Sequence, residues 1–388
     1  MNGRVSLRVD ARTERRNMAV ASSARKQAAF ETELDAKPGT SAYYGVVIKP
    51  PRLSMVDLFA GAGGLSLGLH WAGFRSECAV EFDSAAADTY ELNFGSPVTR
   101  GLDGRPKPIE EVDFAPLAGK VDLLVGGPPC QGFSALGKQL SDDPRNRLWR
   151  EFVRALDEIR PRAFLMENVP DILRSEEGAE TIRHTSSDAL GYNVIAGVLS
   201  AELYGVPQRR RRAFILGVRN TWPAFPLELR SPPKTVRWAL AGLTLEPTES
   251  DLHCGRNPTP QSIERYRAVP EGGNRFDLQR NRPDITPRCW LEKPTGSTDV
   301  FGRLWYDRPS LTIRTEFFKP EKGRYLHPTA DRPITHREAA RLQTFPDDFE
   351  FCGSRIQVAR QIGNAVPPVL AYRLGQQIAE ILEESPLT

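Results

Sequence analysis

Cysteine is sparse in this 388-residue chain, and its few copies are badly placed for cross-linking. The five (Cys78, Cys130, Cys254, Cys289 and Cys352) are odd in number, scattered, and never spaced as CxxC. That argues against a disulfide framework or a zinc site and makes a reducing cytoplasm the expected setting. No apolar run approaches the roughly 20 residues that cross a bilayer, and the amino terminus lacks the apolar core of a signal peptide. No membrane association is therefore expected. Charge of either sign is nearly balanced, at a net +3, so bulk electrostatics says nothing for or against a nucleic-acid partner. The chain also lacks internal repeats and low-complexity tracts. What is present, 40% hydrophobic and 26% charged residues, describes a soluble globular protein long enough for a large domain and a smaller one.

Residues 1–50 stand apart. They are polar, carry the pairs Arg15-Arg16 and Arg25-Lys26, and end in Lys49-Pro50-Pro51; the segment reads as a basic, loosely structured arm. From Leu53 onward, short apolar strands alternate with longer amphipathic segments. Strands are expected at Leu53–Phe59, Cys78–Glu81, Val121–Val125, Ala163–Met166, Asn193–Leu199 and Ala213–Val218. Between them Trp149, Phe152, Leu156 and Ile159 recur at helical spacing. This rhythm predicts an α/β class, a doubly wound Rossmann-like and mostly parallel sheet. The rhythm fails after Arg219, where Pro, Gly, Arg and Trp become common and no long helix is predicted. It returns at Thr335–Gln343, opened by Thr335 as a cap, and at Ala371–Leu382. The expected division is an arm (1–50), an α/β domain (51–218), a second, irregular module (219–345) and a carboxyl-terminal segment (346–388).

Several strand ends carry chemistry. The first runs into Asp57-Leu58-Phe59-Ala60-Gly61-Ala62-Gly63-Gly64-Leu65, a glycine-rich turn opening a helix. Such a turn lets a nucleotide-like cofactor approach the backbone, and Glu81, ending the next strand, suits ribose hydroxyls. The spacing is not GxGxxG, which points away from a nicotinamide dinucleotide and toward another adenosine cofactor. The third strand ends in Gly126-Gly127-Pro128-Pro129-Cys130-Gln131. Two readings fit Cys130 by itself: a nucleophile held out on a stiff loop, or one more buried, inert thiol. Glu167-Asn168 closes the fourth strand, either to cap the following helix or to place a carboxyl group against a ring nitrogen. In open α/β sheets ligands lie beyond the carboxyl ends of the strands, so Phe59, Glu81, Cys130 and Glu167 are expected to converge on one crevice. Gln208-Arg209-Arg210-Arg211-Arg212 abuts a strand, so Gln208, Arg210 and Arg212 share one face and Arg209 and Arg211 the other. One set is expected in the crevice, the other in solvent or on phosphates.

With these segments together, the chain resembles the DNA (cytosine-5) methyltransferases, of the bacterial restriction–modification type, over about residues 53–218 and 303–385. Asp57 to Gly64 is similar to the family's S-adenosylmethionine loop. Pro128-Pro129-Cys130-Gln131 is similar to its nucleophile loop, and Glu167-Asn168-Val169 to its cytosine-binding motif. Gln208-x-Arg210-x-Arg212 follows, and Gln361-Ile362-Gly363-Asn364-Ala365-Val366-Pro367-Pro368 resembles the motif that closes the cofactor pocket. Arg314–Glu316 and Arg337–Gln343 fit the segment leading to it.

The resemblance implies methyl transfer from S-adenosylmethionine to C5 of a flipped-out cytosine in a specific duplex DNA sequence, leaving S-adenosylhomocysteine and using no metal. Catalysis would fall to Cys130, Glu167, Arg210 and Arg212. The cofactor would be held by Asp57, Phe59, Gly61, Gly63, Gly64, Leu65, Glu81, Phe82, Asp103, Pro129, Asn364 and Val366. Asp103 departs from the pattern: the family has Asp in a Gly-Asp-Ile context, whereas here the order is Gly101-Leu102-Asp103-Gly104. Residues 219–300 match no fixed pattern, as expected of a target-recognition region. There Arg256, Arg265, Arg267, Arg275, Arg280, Arg282 and Arg288, with Tyr266, Asn274 and Trp290, offer phosphate and base-edge contacts. A tRNA-acting branch of the family is the nearest alternative. It carries Pro-Phe-Thr after Cys-Gln, where this chain has Gly132-Phe133-Ser134. A monomer bound to double-stranded DNA in the bacterial cytoplasm, working beside a cognate restriction endonuclease, completes the expectation.

Overall fold

A computed structural model of the chain describes residues 36–129, 148–248, 252–292 and 295–385. Cys130, the expected nucleophile, lies outside the described residues.

A mixed sheet forms the centre. Its strands are β1 (Leu53–Leu58), β2 (Phe74–Val80), β3 (Leu123–Gly126), β4 (Ala163–Asn168), β5 (Tyr192–Ser200) and β6 (Arg211–Arg219), in the spatial order β2-β1-β3-β4-β6-β5. All six expected strands form; β2 begins earlier than Cys78 because Phe74 is itself buried in the core. The pairs β2–β1, β1–β3 and β3–β4 are parallel, and β6 is antiparallel to both β4 and β5. A single reversed strand therefore sits between two that share the direction of the rest.

The side chains alternate between two cores, as a sheet covered on both faces requires. Met55, Leu123, Val125, Ala163 and Leu165 pack toward α1 (Gly64–Trp71). The later helices α2 (Ser84–Phe94) and α3 (Leu148–Ile159) flank the sheet elsewhere. Val56, Leu58, Leu124, Phe164 and Met166 face α3, whose Phe152, Leu156 and Ile159 are buried at the expected spacing. The helix α4 (Glu176–Thr185) follows, capped by the Ser175 hydroxyl, which accepts from Gly178 N.

The expected loose arm is corrected at its carboxyl end. Tyr44 and Val46 are buried in the α1-side core, and Tyr43 stacks on Trp238 with ring centroids 4.6 Å apart. The Tyr44 hydroxyl donates to Phe345 O, and Asp347 N donates to Gly39 O. One buried and one partly buried aromatic, packed on residues so distant in sequence, are enough to pin an otherwise polar segment.

Beyond β6 the chain builds a smaller module from α5 (Pro260–Arg267) and α6 (Arg275–Asn281), around Tyr266, Val269, Leu278, Phe301 and Leu326. Thr259 caps α5 ahead of Pro260, and Asn274 with Asp277 forms a capping box on α6. Both helices are short, in line with the failed periodicity. The pair β7 (Gly302–Arg303) and β8 (Arg324–Leu326) leads back to α7 (His336–Leu342), where Thr335 and Glu338 make the expected cap into a full capping box. Then α8 (Arg355–Asn364) and α9 (Pro368–Glu384) return to the main sheet, α9 lying on α1.

Candidate active site

Residues from four strands meet at the carboxyl edge of β1, β2, β3 and β4. The end of β1 buries Asp57, whose carboxylate accepts from the Ser66 hydroxyl at 2.6 Å. Ser66 continues to the Tyr90 hydroxyl at 2.9 Å, and Tyr90 donates to Ser76 Oγ. Burial, with the Glu81 charge nearby, pushes the Asp57 carboxyl up to about 7 despite the Ser66 hydrogen bond. Ser66, Ser76 and Tyr90 are polar positions that the sequence reading missed. Nothing in their spacing marks them, since the relay joins two helices and a strand.

Phe59 takes a left-handed backbone conformation, φ 58°, at the point where β1 ends. For a bulky residue this costs on the order of 1–3 kcal/mol and is tolerated mostly where the surroundings dictate it. The turn then passes Gly61 to Gly63, which is left-handed and stands at the N-cap of α1, with Leu65 buried in its first turn. Gly61 N donates to Glu81 Oε2 at 2.7 Å, and Asp83 N donates to Glu81 Oε1 at 2.8 Å. Glu81 thereby fixes the loop to the end of β2, while burial raises its carboxyl above its ordinary value. Beside it the Phe82 ring is 73% exposed, an unusual position for a phenyl group. The Val366 carbonyl stands 2.5 Å from where a Cβ on Gly64 would lie, bringing Asn364–Val366 against the same loop.

These residues fit an adenosine-type cofactor. A carboxylate has about four lone-pair directions, so Glu81 keeps acceptor capacity beyond the two backbone donors. A bare aromatic face stands next to it, and the space beside Gly61 is open. Asp103 does not join this group. Its exposed carboxylate accepts from Arg105 N, closing the local turn 101–105.

On the other side of the edge, Glu167 pairs with Arg212, Nε to Oε1 at 2.9 Å, with both side chains largely buried. The reversed β6 makes this possible. In its register with β4, Glu167 faces Phe214 and Asn168 faces Ala213, so Arg212 at the start of one strand reaches the end of the other. Gly127 gives Glu167 room, because a Cβ there would stand 2.9 Å from Glu167 Oε2 and push the carboxylate aside. Asn168 Nδ2 donates to Pro128 O at 3.0 Å, holding the segment that follows β3. Asn168 was legible only as Glu167's neighbour, not as the side chain that anchors this segment.

The expected alternation in the arginine run is present: Gln208 and Arg210 are buried, Arg209 and Arg211 exposed, Arg212 between. Arg210 goes deeper than the crevice. Its guanidinium donates to the carbonyls of Ile313 (3.1 Å), Gly363 (3.0 Å) and Asn364 (3.3 Å), and burial drives its pKa well below the ordinary arginine value.

Many arginines of the irregular module have partners within it. Arg282 meets Asp284 and Glu264, Arg280 meets Asp277, Arg288 meets Glu292, and Arg267 meets Asp331. Arg275 is buried and donates to Thr295 O, while Arg256 and Arg265 donate to Phe318 O and Ile285 O. Tyr266 is buried and Asn274 is spent as a helix cap.

The chain matches the family model of the C-5 cytosine-specific DNA methylases over residues 53–380. It is 40% identical over 353 residues to the Type II methyltransferase M.PspPI of Psychrobacter sp., covering 88% of this chain and 82% of that protein. It is 37% identical over 346 residues to the Type II methyltransferase M.Eco47II of Escherichia coli, covering 85% and 80%. Among solved structures, a putative DNA modification methyltransferase encoded within an E. coli prophage superposes with a TM-score of 0.67 at 26% identity, over 86% of this chain and all of that one.

Proposed function

The chain belongs to the C-5 cytosine-specific DNA methylases, S-adenosylmethionine-dependent enzymes of the α/β methyltransferase fold, and we propose that it methylates a flipped-out cytosine through a covalent bond from Cys130 to C6. The observation that carries this reading is the Glu167–Arg212 pair, set one strand away from the loop that leads into Cys130.

Cytosine C5 is a poor nucleophile. Addition of the Cys130 thiolate to C6 turns the ring into an enamine-like species and raises electron density at C5. Glu167 shares a proton with N3, and Arg212 at O2 offsets the same developing negative charge. When bound, S-adenosylmethionine supplies the methyl group that C5 takes. Loss of the C5 proton and expulsion of the Cys130 thiolate then restore the aromatic ring. None of these ring atoms is accessible inside a duplex, so the base leaves the stack at a cost of about a few kcal/mol.

Asp57, the Phe59–Gly64 turn, Leu65, Glu81, Phe82, Pro129, Asn364 and Val366 form the proposed cofactor pocket, with Glu81 on the ribose hydroxyls and the Phe82 ring as an apolar face. Asp103 is not carried into this set, since its carboxylate is exposed and its partner is Arg105 of its own turn. The module between β6 and α7 reads the DNA sequence. The Type II names of the relatives support a place beside a restriction endonuclease of the same specificity.

The test uses tritium-labelled S-adenosylmethionine with duplex DNA, with tRNA and with no acceptor, followed by base analysis. Label in 5-methylcytosine of DNA is expected. Cys130→Ser should abolish it while retaining DNA binding. Label confined to tRNA, or undiminished label with the Ser variant, would overturn the assignment.

A further inference from the structure

Arg210 is the largest fully buried side chain among the described residues, and its hydrogen bonds run to main-chain carbonyls. Those carbonyls belong to two segments far away in sequence: Ile313, and Gly363–Asn364 at the end of α8. A second strand of connections runs in parallel. Gln208 Nε2 donates to Gln343 Oε1 and Leu342 O, its Oε1 accepts from Ile313 N, and Gln343 Nε2 donates to Ile362 O. The joint is tight. A Cβ on Gly363 would meet Thr315 N at 2.4 Å and the Arg314 carbonyl carbon at 2.5 Å.

Arg210 stands two residues before Arg212, which pairs with Glu167. Its acceptors Gly363 and Asn364 stand within three residues of Val366, whose carbonyl abuts Gly64 on the cofactor loop. One side chain thus spans from the strand that faces the base to the segment that faces the cofactor.

We propose that Arg210 is a positioning residue that locks the base-binding start of β6 to the Gly363–Val366 segment, so that the two halves of the active site are held in one register. It touches neither reactant. The inference rests on the assignment of Arg212 to the base and of Asn364 and Val366 to the cofactor. A guanidinium suits the task because its fork satisfies several carbonyls at fixed angles, which an ammonium group cannot copy.

Three variants test it: Arg210→Met, Arg210→Lys and Gly363→Ala. The last disturbs the same joint with Arg210 in place, so the inference does not depend on Arg210→Met folding. Each is measured for S-adenosylhomocysteine affinity by calorimetry without DNA, and for kcat and KM on unmethylated plasmid DNA, normalised to natively folded protein by near-ultraviolet circular dichroism. Arg210→Met and Gly363→Ala should each weaken S-adenosylhomocysteine binding on the order of 10-fold and lower kcat on the order of 100-fold, because misplacement of about 1 Å costs that much. Arg210→Lys should recover part of both. Wild-type S-adenosylhomocysteine affinity in folded Arg210→Met and Gly363→Ala, with kcat lost, would show that Arg210 serves the base alone and overturn the lock. Losses that vanish on normalisation would reduce it to fold stability and overturn it equally. Calorimetry involves no methyl transfer, so failure of the cytosine assignment leaves this test readable.

Discussion

Replacing Asp57 by Asn isolates the energetic cost of a buried carboxylate beneath the cofactor loop. Asp57 is 1% exposed, and its carboxyl is pushed from 3.8 up to about 7 by burial, aided by Glu81 and opposed by Ser66. The native state therefore holds a proton that the unfolded chain releases over that range. A raised folded pKa contributes stability that is fully present below the unfolded value and lost as pH rises through the folded one. At about 1.4 kcal/mol per pKa unit, the whole loss is on the order of 4 kcal/mol, more than half of it above pH 5. Asn keeps the size and an acceptor for the Ser66 hydroxyl but cannot titrate. Urea unfolding of wild type and Asp57→Asn, without cofactor, at pH 5, 6, 7 and 8 gives the difference directly, since most other titrating groups are common to both. Wild type should lose stability relative to the variant as pH rises, most steeply below 7. Parallel stability curves, or a difference of the opposite sign, would refute the assignment of a protonated carboxyl under the loop.

The remaining predictions concern the two walls of the crevice. Glu167→Gln should lower the single-turnover rate about 10²–10⁴-fold, the span of general acid–base contributions, with DNA affinity kept; an unchanged rate removes Glu167 from the chemistry. Gly127→Ala introduces a methyl group 2.9 Å from Glu167 Oε2, so methylation should slow while S-adenosylhomocysteine binding is unaffected. Equal loss of both would mean a general distortion of β3. Phe82→Ala should raise KM for S-adenosylmethionine on the order of 10-fold, in line with about 1–3 kcal/mol for stacking of a base on an aromatic ring. Because the ring is 73% exposed, thermal stability should move little, and an unchanged KM would free Phe82 from any role.

Strand ends were legible because a buried strand writes a continuous apolar run. Glu81 and Glu167 break such runs, which placed two carboxylates at the carboxyl edge of the sheet. Tyr43 and Tyr44 were not legible. Two aromatics in a polar stretch carry no period, and Trp238 lies 195 residues away. Asp103 differs: its position in the motif order suggested a role, and in the structure its carboxylate closes a local turn with Arg105 N. The arginines of the irregular module looked free because sequence shows charge but not pairing, and Glu264, Asp277, Asp284, Glu292 and Asp331 supply the partners.

The arginine run shows most clearly where sequence reasoning stops. Alternation along a strand correctly separated Arg210 and Arg212 from Arg209 and Arg211, since that follows from local geometry alone. It could not separate Arg210 from Arg212. That distinction depends on β6 running against its neighbours, which puts the beginning of the strand at the edge where the others end. In an all-parallel sheet the same five residues would open β6 at the amino edge, remote from Glu167. Reversal brings Arg212 to Glu167, and the closeness of the returning α8 leaves carbonyls at the depth that Arg210 reaches. Two residues of one type, two positions apart, thus acquire different surroundings from the direction of a single strand and from a segment about 150 residues downstream.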